Sequence, residues 1–520
     1  MILKNARIFG GLGGPPELFE YVLIEDGKIL TVGNLQDFPH TNAEVIDLGG
    51  AWVFPGFCDA HMHMAAGGQS LGIIDLSGLD LHGVEIALLR ASASKRESGD
   101  EWLEAFNWDE NDNCRLNARK LEHLVSGRPV IIHKRDLHSC CLNETALKIV
   151  NVDRSTIDPD GGRIGRDSSG TLTGMLFESA IGLIHAVRKA PDELARRNFI
   201  LTAQEYLVTL GLTGISEVLD RGNGAIYRNL DKTGSLKIDI DGWLRFEQWD
   251  GQSQPEAGDR FRCETIKLFL DGSFGSRTAA MNAPFLDGSD SGNLIYRDDD
   301  LFDIFQKVKS KGWRLAIHAI GDLAVEQACR VLTRLPNLGG FSGRIEHLQQ
   351  LPENGVNLVR DSRALASMQS IHMLDDQTWL PSLIGAERCV NSFIWRSLAD
   401  AGVPIALGSD WPVASPDPLL SLHATINRAR YGEEKNPLFQ AEEALLPWQA
   451  IRAVSLGYAI ATDRKNERGA ITPGKFADLT VVNQPDENLR DWSNANILLT
   501  ISRGEKVFVS PEVNLNKKVP

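Results

Sequence analysis

The chain has 520 residues, 42% hydrophobic and 24% charged, with a formal net charge of −15. At ~100–200 residues per domain this length implies two or three domains, and the acidic balance disfavours nucleic acid or an anionic membrane as the main partner. No run approaches ~18 uninterrupted apolar residues, and the opening MILKNARIFGGLGG has no cationic segment leading into an apolar one, so neither a membrane span nor a secretory signal is expected.

Residues 1–54 read as short strands: ILKNARIF, then YVLIEDGKILTVG folded at Asp26-Gly27, then AEVIDL and AWVF. Residues 65–195 are far too long for a loop between neighbouring strands and read as an inserted α/β subdomain. Seven cysteines, none in CxxC spacing, suggest neither a disulfide framework nor a zinc knuckle, and a reducing, cytoplasmic setting is expected. The adjacent Cys140-Cys141 reads as ordinary packing.

Beyond the insertion, helical and strand-like segments alternate, the signature of βα units around a parallel sheet. PDELARRNFILTAQEYLVTLG has Pro191 near its first turn and Gly211 as a stop; DDDLFDIFQKVKSKG opens on acids, places Leu301, Ile304, Phe305 and Val308 on one face and ends at Gly312. LAVEQACRVLTRL aligns Val325, Ala328, Leu332 and Leu335. Strand-like runs fall at 53–57, 212–218, 240–246, 265–270, 314–320, 343–348, 364–369 and 404–410, eight in all, the number that a closed (β/α)8 barrel needs. The last part, with ADLTVVN and ILLTISRGEKVFVS around Arg503-Gly504, returns to the hairpin style of the start.

The polar residues at the C-terminal ends of those runs are His61 and His63, Lys267, His318, His347 and Asp410. Active sites of such barrels sit at that end, and strand residues i and i+2 share a side, so the His61-Met-His63 pair can face one ion. Each residue alone has a bland reading, as a satisfied core histidine or a turn cap; together they read as a metal site. Lys267 shares a face with Phe269, where a buried ammonium is costly unless paired or neutralised. It is either one half of an ion pair or a lysine that has added CO2 to become a carbamate, an anionic ligand able to bridge two metals.

The stretches PGFCDAHMHM, TIKLFLDGSFGSRTAA, HAIGD, RIEHLQ, MQSIH and LGSDWPV together resemble the amidohydrolase superfamily, within it the amidohydrolase-3 branch that groups YtcJ-like and N-substituted formamide deformylase-like proteins. Within the insertion, FNWDEN, DLHSCCLNETAL and DPDGGRIGRDSSGTLTGMLFESA resemble that branch as well, so the resemblance covers essentially the whole chain. It implies a TIM-like metal-dependent hydrolase barrel over 55–464, carrying the 65–195 insertion, with 1–54 and 465–520 forming one composite β-sandwich. It further implies two divalent metals, zinc by preference: His61, His63, Asp410 and carbamylated Lys267 would hold one, and the carbamate, His318 and His347 the other. Cys58 and Cys140-Cys141 stand where the family usually has aliphatic or bulkier residues.

The activity implied is hydrolysis of a non-peptide C–N bond in a small amide, formamide or N-acyl compound. A metal-activated bridging hydroxide would attack, and Asp410 would act as general acid and base. His372 would bond the substrate oxygen or oxyanion, and Trp108, Glu110, His138, Glu178, Asp271 and Arg277 are substrate-binding candidates. Asp271 and Arg277 have a competing reading as a structural pair. A deaminase or cyclic amidohydrolase on the same barrel is the alternative, though such deaminases usually lack the strand-four lysine. A barrel kept for binding or assembly would be expected to have lost ligands. A homodimer is expected on base rates.

Overall fold

The computed structural model of this protein describes residues 1–513 except 12–14, 40–42, 77, 94–101, 109–114, 135–138, 160–161, 186, 189–190, 276, 287, 289, 338, 434–435, 437–438 and 484, and omits the side chains of Asn107, Glu178 and His185. It divides into a unit comprising Met1–Met64 with Gln204–Pro520, and a second unit over Ala65–Ala203. Among the described residues no helix is long and apolar enough to cross a membrane.

The first unit contains the barrel. Its strands are β1 (Phe57–Met62), β2 (Leu212–Val218), β3 (Asp239–Arg245), β4 (Phe261–Phe269), β5 (Arg314–Ala319), β6 (Arg344–His347), β7 (Leu365–Met368) and β8 (Ile405–Leu407). They pair in chain order from β1 to β8, every neighbour parallel. β1, β2, β6, β7 and β8 are buried along their whole length, as expected of parallel strands covered on both faces. The seam between β8 and β1 is closed by backbone and carboxylate bonds that join β1 and His63 to the residues just past the end of β8. Asp410 N–H donates to the His61 carbonyl and His63 N–H to the Trp411 carbonyl, both at 2.7 Å. The buried Asp59 carboxylate accepts from the His61 amide at 3.0 Å and the Ser409 amide at 3.1 Å. Gly408 is needed here, since a Cβ would lie 2.5 Å from the His61 nitrogen.

Two barrel strands start more than one residue away from the sequence reading. The apolar run at 53–57 is divided: Trp52–Pro55 belongs to the terminal sheet, and barrel strand β1 begins only at Phe57. Gly56 makes the turn, its N–H donating to the Asp478 carbonyl at 2.7 Å, and a Cβ there would meet Thr213 at 2.3 Å. β4 starts at Phe261, ahead of the expected 265, because Arg262 and Glu264 alternate with buried Phe261 and Cys263. The helices follow their caps. Asp298–Ser310 has three acids in its first turn and buries Leu301, Phe305 and Val308, while Asp322–Thr333 buries Val325, Ala328 and Leu332.

Both chain ends enter one sheet, in the order Glu505–Val509, Asn496–Ser502, Leu479–Asn483, Trp52–Pro55, Ile2–Gly10, Glu17–Glu25, Lys28–Gly33, with Val45–Asp47 paired to Ile2–Gly10. Leu3, Ile8, Val22 and Val53 from the start pack with Leu479, Val481, Leu499 and Ile501 from the end in a single core. Asp26 and Gly27 (φ 47° and 77°), and Arg503 and Gly504 (φ 47° and 79°), have the left-handed backbone of tight hairpin turns.

The second unit is built on a six-stranded mixed sheet, in the order Gly162–Arg166, Leu172–Glu178, Ser139–Leu142, Val130–Lys134, Leu103–Trp108, Ile74–Asp75. Its two faces carry separate cores, one with Val130, Ile132 and Cys141, the other with Ile131 and Cys140. The adjacent cysteines thus point to opposite faces and pack in different cores.

Candidate metal centre

The barrel mouth gathers His61, His63, Lys267, His318, His347 and Asp410. One ligand atom from each of His61, His347 and Asp410 lies within 4.8 Å of the others. His63 Nε2 is 3.3 Å from Asp410 Oδ1, and the His318 and His347 rings are 4.5 Å apart. Lys267 is 1% exposed, with Nζ 5.1 Å from the Phe269 ring centre and 5.6 Å from that of Trp243. Four buried polar atoms at this mouth have no hydrogen-bond partner: Lys267 Nζ, His318 Nδ1, His372 Nε2 and Asp410 Oδ1. Buried polar atoms are normally satisfied, so such a concentration marks a place where a ligand belongs.

Three acceptors fix the histidine tautomers. His61 Nδ1 lies 2.8 Å from Glu346 Oε2, His347 Nδ1 2.9 Å from Gln369 Oε1, and His318 Nε2 2.9 Å from the Gly272 carbonyl. Each ring nitrogen facing an acceptor carries the proton, leaving the other with a free lone pair. Burial, then the charge of Lys267, lowers His61 to about 4 and His318 to about 3; burial and His318 take His347 well below the usual range. All three are therefore neutral at pH 7. Burial pushes the Asp410 carboxyl up, but His61, His63 and His347 outweigh it and hold it well below the usual carboxylate range. Burial lowers Lys267 to about 8, against the opposing charges of Glu346 and Asp410. Neutral imidazoles with free lone pairs, an ionised carboxylate and an unpartnered amine suit a divalent cation.

Local backbone sets two of these side chains. By strand alternation Arg344 and Glu346 share a side in β6, and His347 would face away from it. At His347 φ is +75° and at Leu348 +47°, so the strand breaks and turns the imidazole into the mouth. Asp410 has φ +60°. Non-glycine residues held there cost about 1–3 kcal/mol each and cluster at functional sites. Strand periodicity does not reveal Glu346, Gln369 or Gly272 as the partners of the imidazoles. A signal for Glu346 did exist: an acid in a fully buried strand needs partners, and it has Arg344 Nε at 2.5 Å as well as His61.

His372, on the helix Ser370–Asp376 that follows β7, stacks parallel to His347 at 6.3 Å. With His61, His63, His318, His347 and Asp410 it lines a cavity of about 430 Å3, alongside Phe269, Phe274, Gln349, Asp375, Asp376 and Trp379. Burial, then Asp375, raises the Asp376 carboxyl to about 7. Asp271 and Arg277 are not brought to this cavity as a pair. Asp271 is buried, and its carboxylate accepts the backbone N–H groups of Ala280, Ile320 and Gly321 at 2.8–3.1 Å. Arg277 is exposed and donates to the Gly275 carbonyl at 3.0 Å. Trp108, 1% exposed, is packed in a core of the insertion. Glu110 and His138 lie outside the described residues, as does the side chain of Glu178.

The comparisons with known proteins agree with this geometry. The chain is 30% identical to the YtcJ protein of Bacillus subtilis (strain 168) over 481 residues, covering 89% of this chain and 90% of the relative. It is 25% identical to the N-substituted formamide deformylase of Arthrobacter pascens over 504 residues, covering 89% and 90%. A solved structure, an uncharacterized metal-dependent hydrolase from Pyrococcus horikoshii, superposes with a TM-score of 0.75 at 26% identity, covering 94% of this chain and 98% of that one. The model of the amidohydrolase family matches residues 44–508, and the chain belongs to that family.

Proposed function

We propose that this hydrolase cleaves a carbon–nitrogen bond of a small non-peptide amide, formamide or N-acyl compound. His61, His63, Asp410 and a carbamylated Lys267 would hold one divalent metal, and the carbamate, His318 and His347 a second, zinc being the natural choice for imidazole and carboxylate donors. The observation that carries this reading is the buried, unpartnered Nζ of Lys267, lowered to about 8. An amine so placed is partly neutral at pH 7–8. Its lone pair can form an N–C bond to CO2 and release a proton, replacing an orphaned cation with an anionic ligand. The relative that acts on N-substituted formamides supports an acyclic amide.

The bound metals would supply acidified water at neutral pH and polarisation of the substrate carbonyl. The chain's residues do the rest. Asp410, ionised and with Oδ1 unpartnered, accepts the proton of the attacking water and returns it to the leaving nitrogen. His372 Nε2, also unpartnered, can donate to the oxygen on which negative charge develops. Phe269, Phe274 and Trp379 line the cavity with apolar surface that displaces water.

The test is metal content per chain after growth with 13C-bicarbonate, with the carbamate read by 13C NMR, followed by a screen of formamides, N-acyl amino acids and small lactams. Two metals, a carbamate signal lost in Lys267→Ala, and release of an amine are expected. One tightly bound ion with an unmodified Lys267 would sink the binuclear reading.

A further inference from the structure

The cavity's non-ligand lining has a sign. Among its described lining residues there is no lysine or arginine; beyond the candidate metal ligands, its ionic groups are Asp375 and Asp376. The two differ. Asp375 is ion-paired at the surface with Arg430. Asp376 has no cation within ion-pair distance among the described residues; its Oδ2 accepts one hydrogen bond, from Gln349 Nε2 at 2.6 Å. A recessed carboxylate without a counter-charge is costly, and a cation arriving in the cavity relieves that cost. Trp379, the next lining residue along, is an aromatic of the kind whose ring face attracts ammonium groups.

The placement of Asp376 gives a distance as well as a sign. It stands four residues after His372 on the helix Ser370–Asp376, and i and i+4 lie on one helix face about 6 Å apart along the axis. Both line the same cavity, and His372 presents a buried, unpartnered Nε2 there. Gln349, two residues past His347 in sequence, donates to Asp376 and lines the same cavity. One helical turn thus separates the group suited to the reacting oxygen from the group suited to a cation.

The geometry points to Asp376 as the specificity-determining residue for a substrate that bears an ammonium or similar organic cation roughly 6 Å from the bond cleaved, with Trp379 as its second wall. This rests on the amide-hydrolase reading above and narrows it to cationic amides. It disfavours N-acyl amino acids, whose free carboxylate would face Asp376.

The test uses metal-reconstituted full-length protein and two probes that carry no amide: benzyltrimethylammonium, a cation with no lone pair for a metal, and neutral benzyl alcohol. Calorimetric titration should show the cation binding about tenfold or more tightly than the alcohol. Asp376→Asn should weaken the cation by about tenfold and the alcohol by less than about threefold, and Asp376→Glu should restore part of the difference. Equal losses for both probes, or no preference for the cation in the unaltered protein, would overturn the assignment. A second arm compares kcat/KM for matched amides ending in an ammonium, a hydroxyl or a carboxylate. Preference for the ammonium that collapses in Asp376→Asn supports it; preference for the carboxylate overturns it. Cation binding through Asp376 with none of these amides cleaved would instead count against the amide-hydrolase reading alone.

Discussion

The two ends of the barrel treat buried charge in opposite ways. At the foot, Asp239 opens β3 with 0% exposure, and its carboxylate is saturated by arginines. Arg464 Nη1 and Arg468 Nη2 donate at 2.8 Å, Arg503 adds two more bonds, and Arg468 also grips Asp478 at 2.5 Å. These residues come from the barrel and from the terminal sheet, so the network joins the two. At the mouth, Lys267, His318, His372 and Asp410 each keep an unpartnered atom. Among the groups of the foot network only Arg468 Nη1 is left without a partner; the mouth concentrates four such atoms, as a place where something has to bind does.

The sharpest way to break this contrast is to exchange the consequences. Asp410→Asn should lower turnover by about 10²–10⁴-fold while leaving the fold and much of the metal, measured by steady-state rates and metal analysis. Asp239→Ala should do the reverse, destabilising the protein by about 3–5 kcal/mol by leaving buried guanidinium groups unpaired, read from chemical denaturation. The arginines outweigh burial and hold the Asp239 carboxyl below its usual range. Its contribution is thus present above the unfolded-chain pKa of about 4 and lost as pH falls below it. Asp239→Ala should therefore show a shallower loss of stability on acidification. The smallest effect expected is that of Glu346→Gln, which keeps the shape but weakens the acceptor for His61 Nδ1. Metal affinity should fall by about 10–100-fold, seen in competition with a chelator.

The contrast also marks what was legible in the sequence. His61 and His63 could be placed on one side of a strand because side chains there alternate with period two. Lys267 stood out for the same reason, as a charge among Ile266, Leu268 and Phe269. The barrel as a whole followed from the alternation of helical and strand-like segments. Harder to read were features set by partners distant in sequence. Strand alternation points His347 the wrong way, and only a positive φ, imposed by the surrounding fold, corrects it. Asp271 looked like a partner for Arg277, yet backbone amides from after β4 and β5 take its oxygens. Trp108 sits in a motif that looked like pocket, and it is core. Large aromatics serve both ends equally well, so type alone does not separate them.

The seam has a consequence for when the enzyme comes into being. Asp59 and Ser409, joined across it, are 350 residues apart in the chain, and Trp52–Pro55, just ahead of β1, pairs with Leu479–Asn483. A nascent polypeptide leaving the ribosome therefore carries His61 and His63 long before it can offer them Asp410. Closure waits for nearly the whole chain to be synthesised, and its long-range contacts make folding slow by topology. The reactive centre is thus a product of completion: truncated chains expose histidines, but they have no mouth.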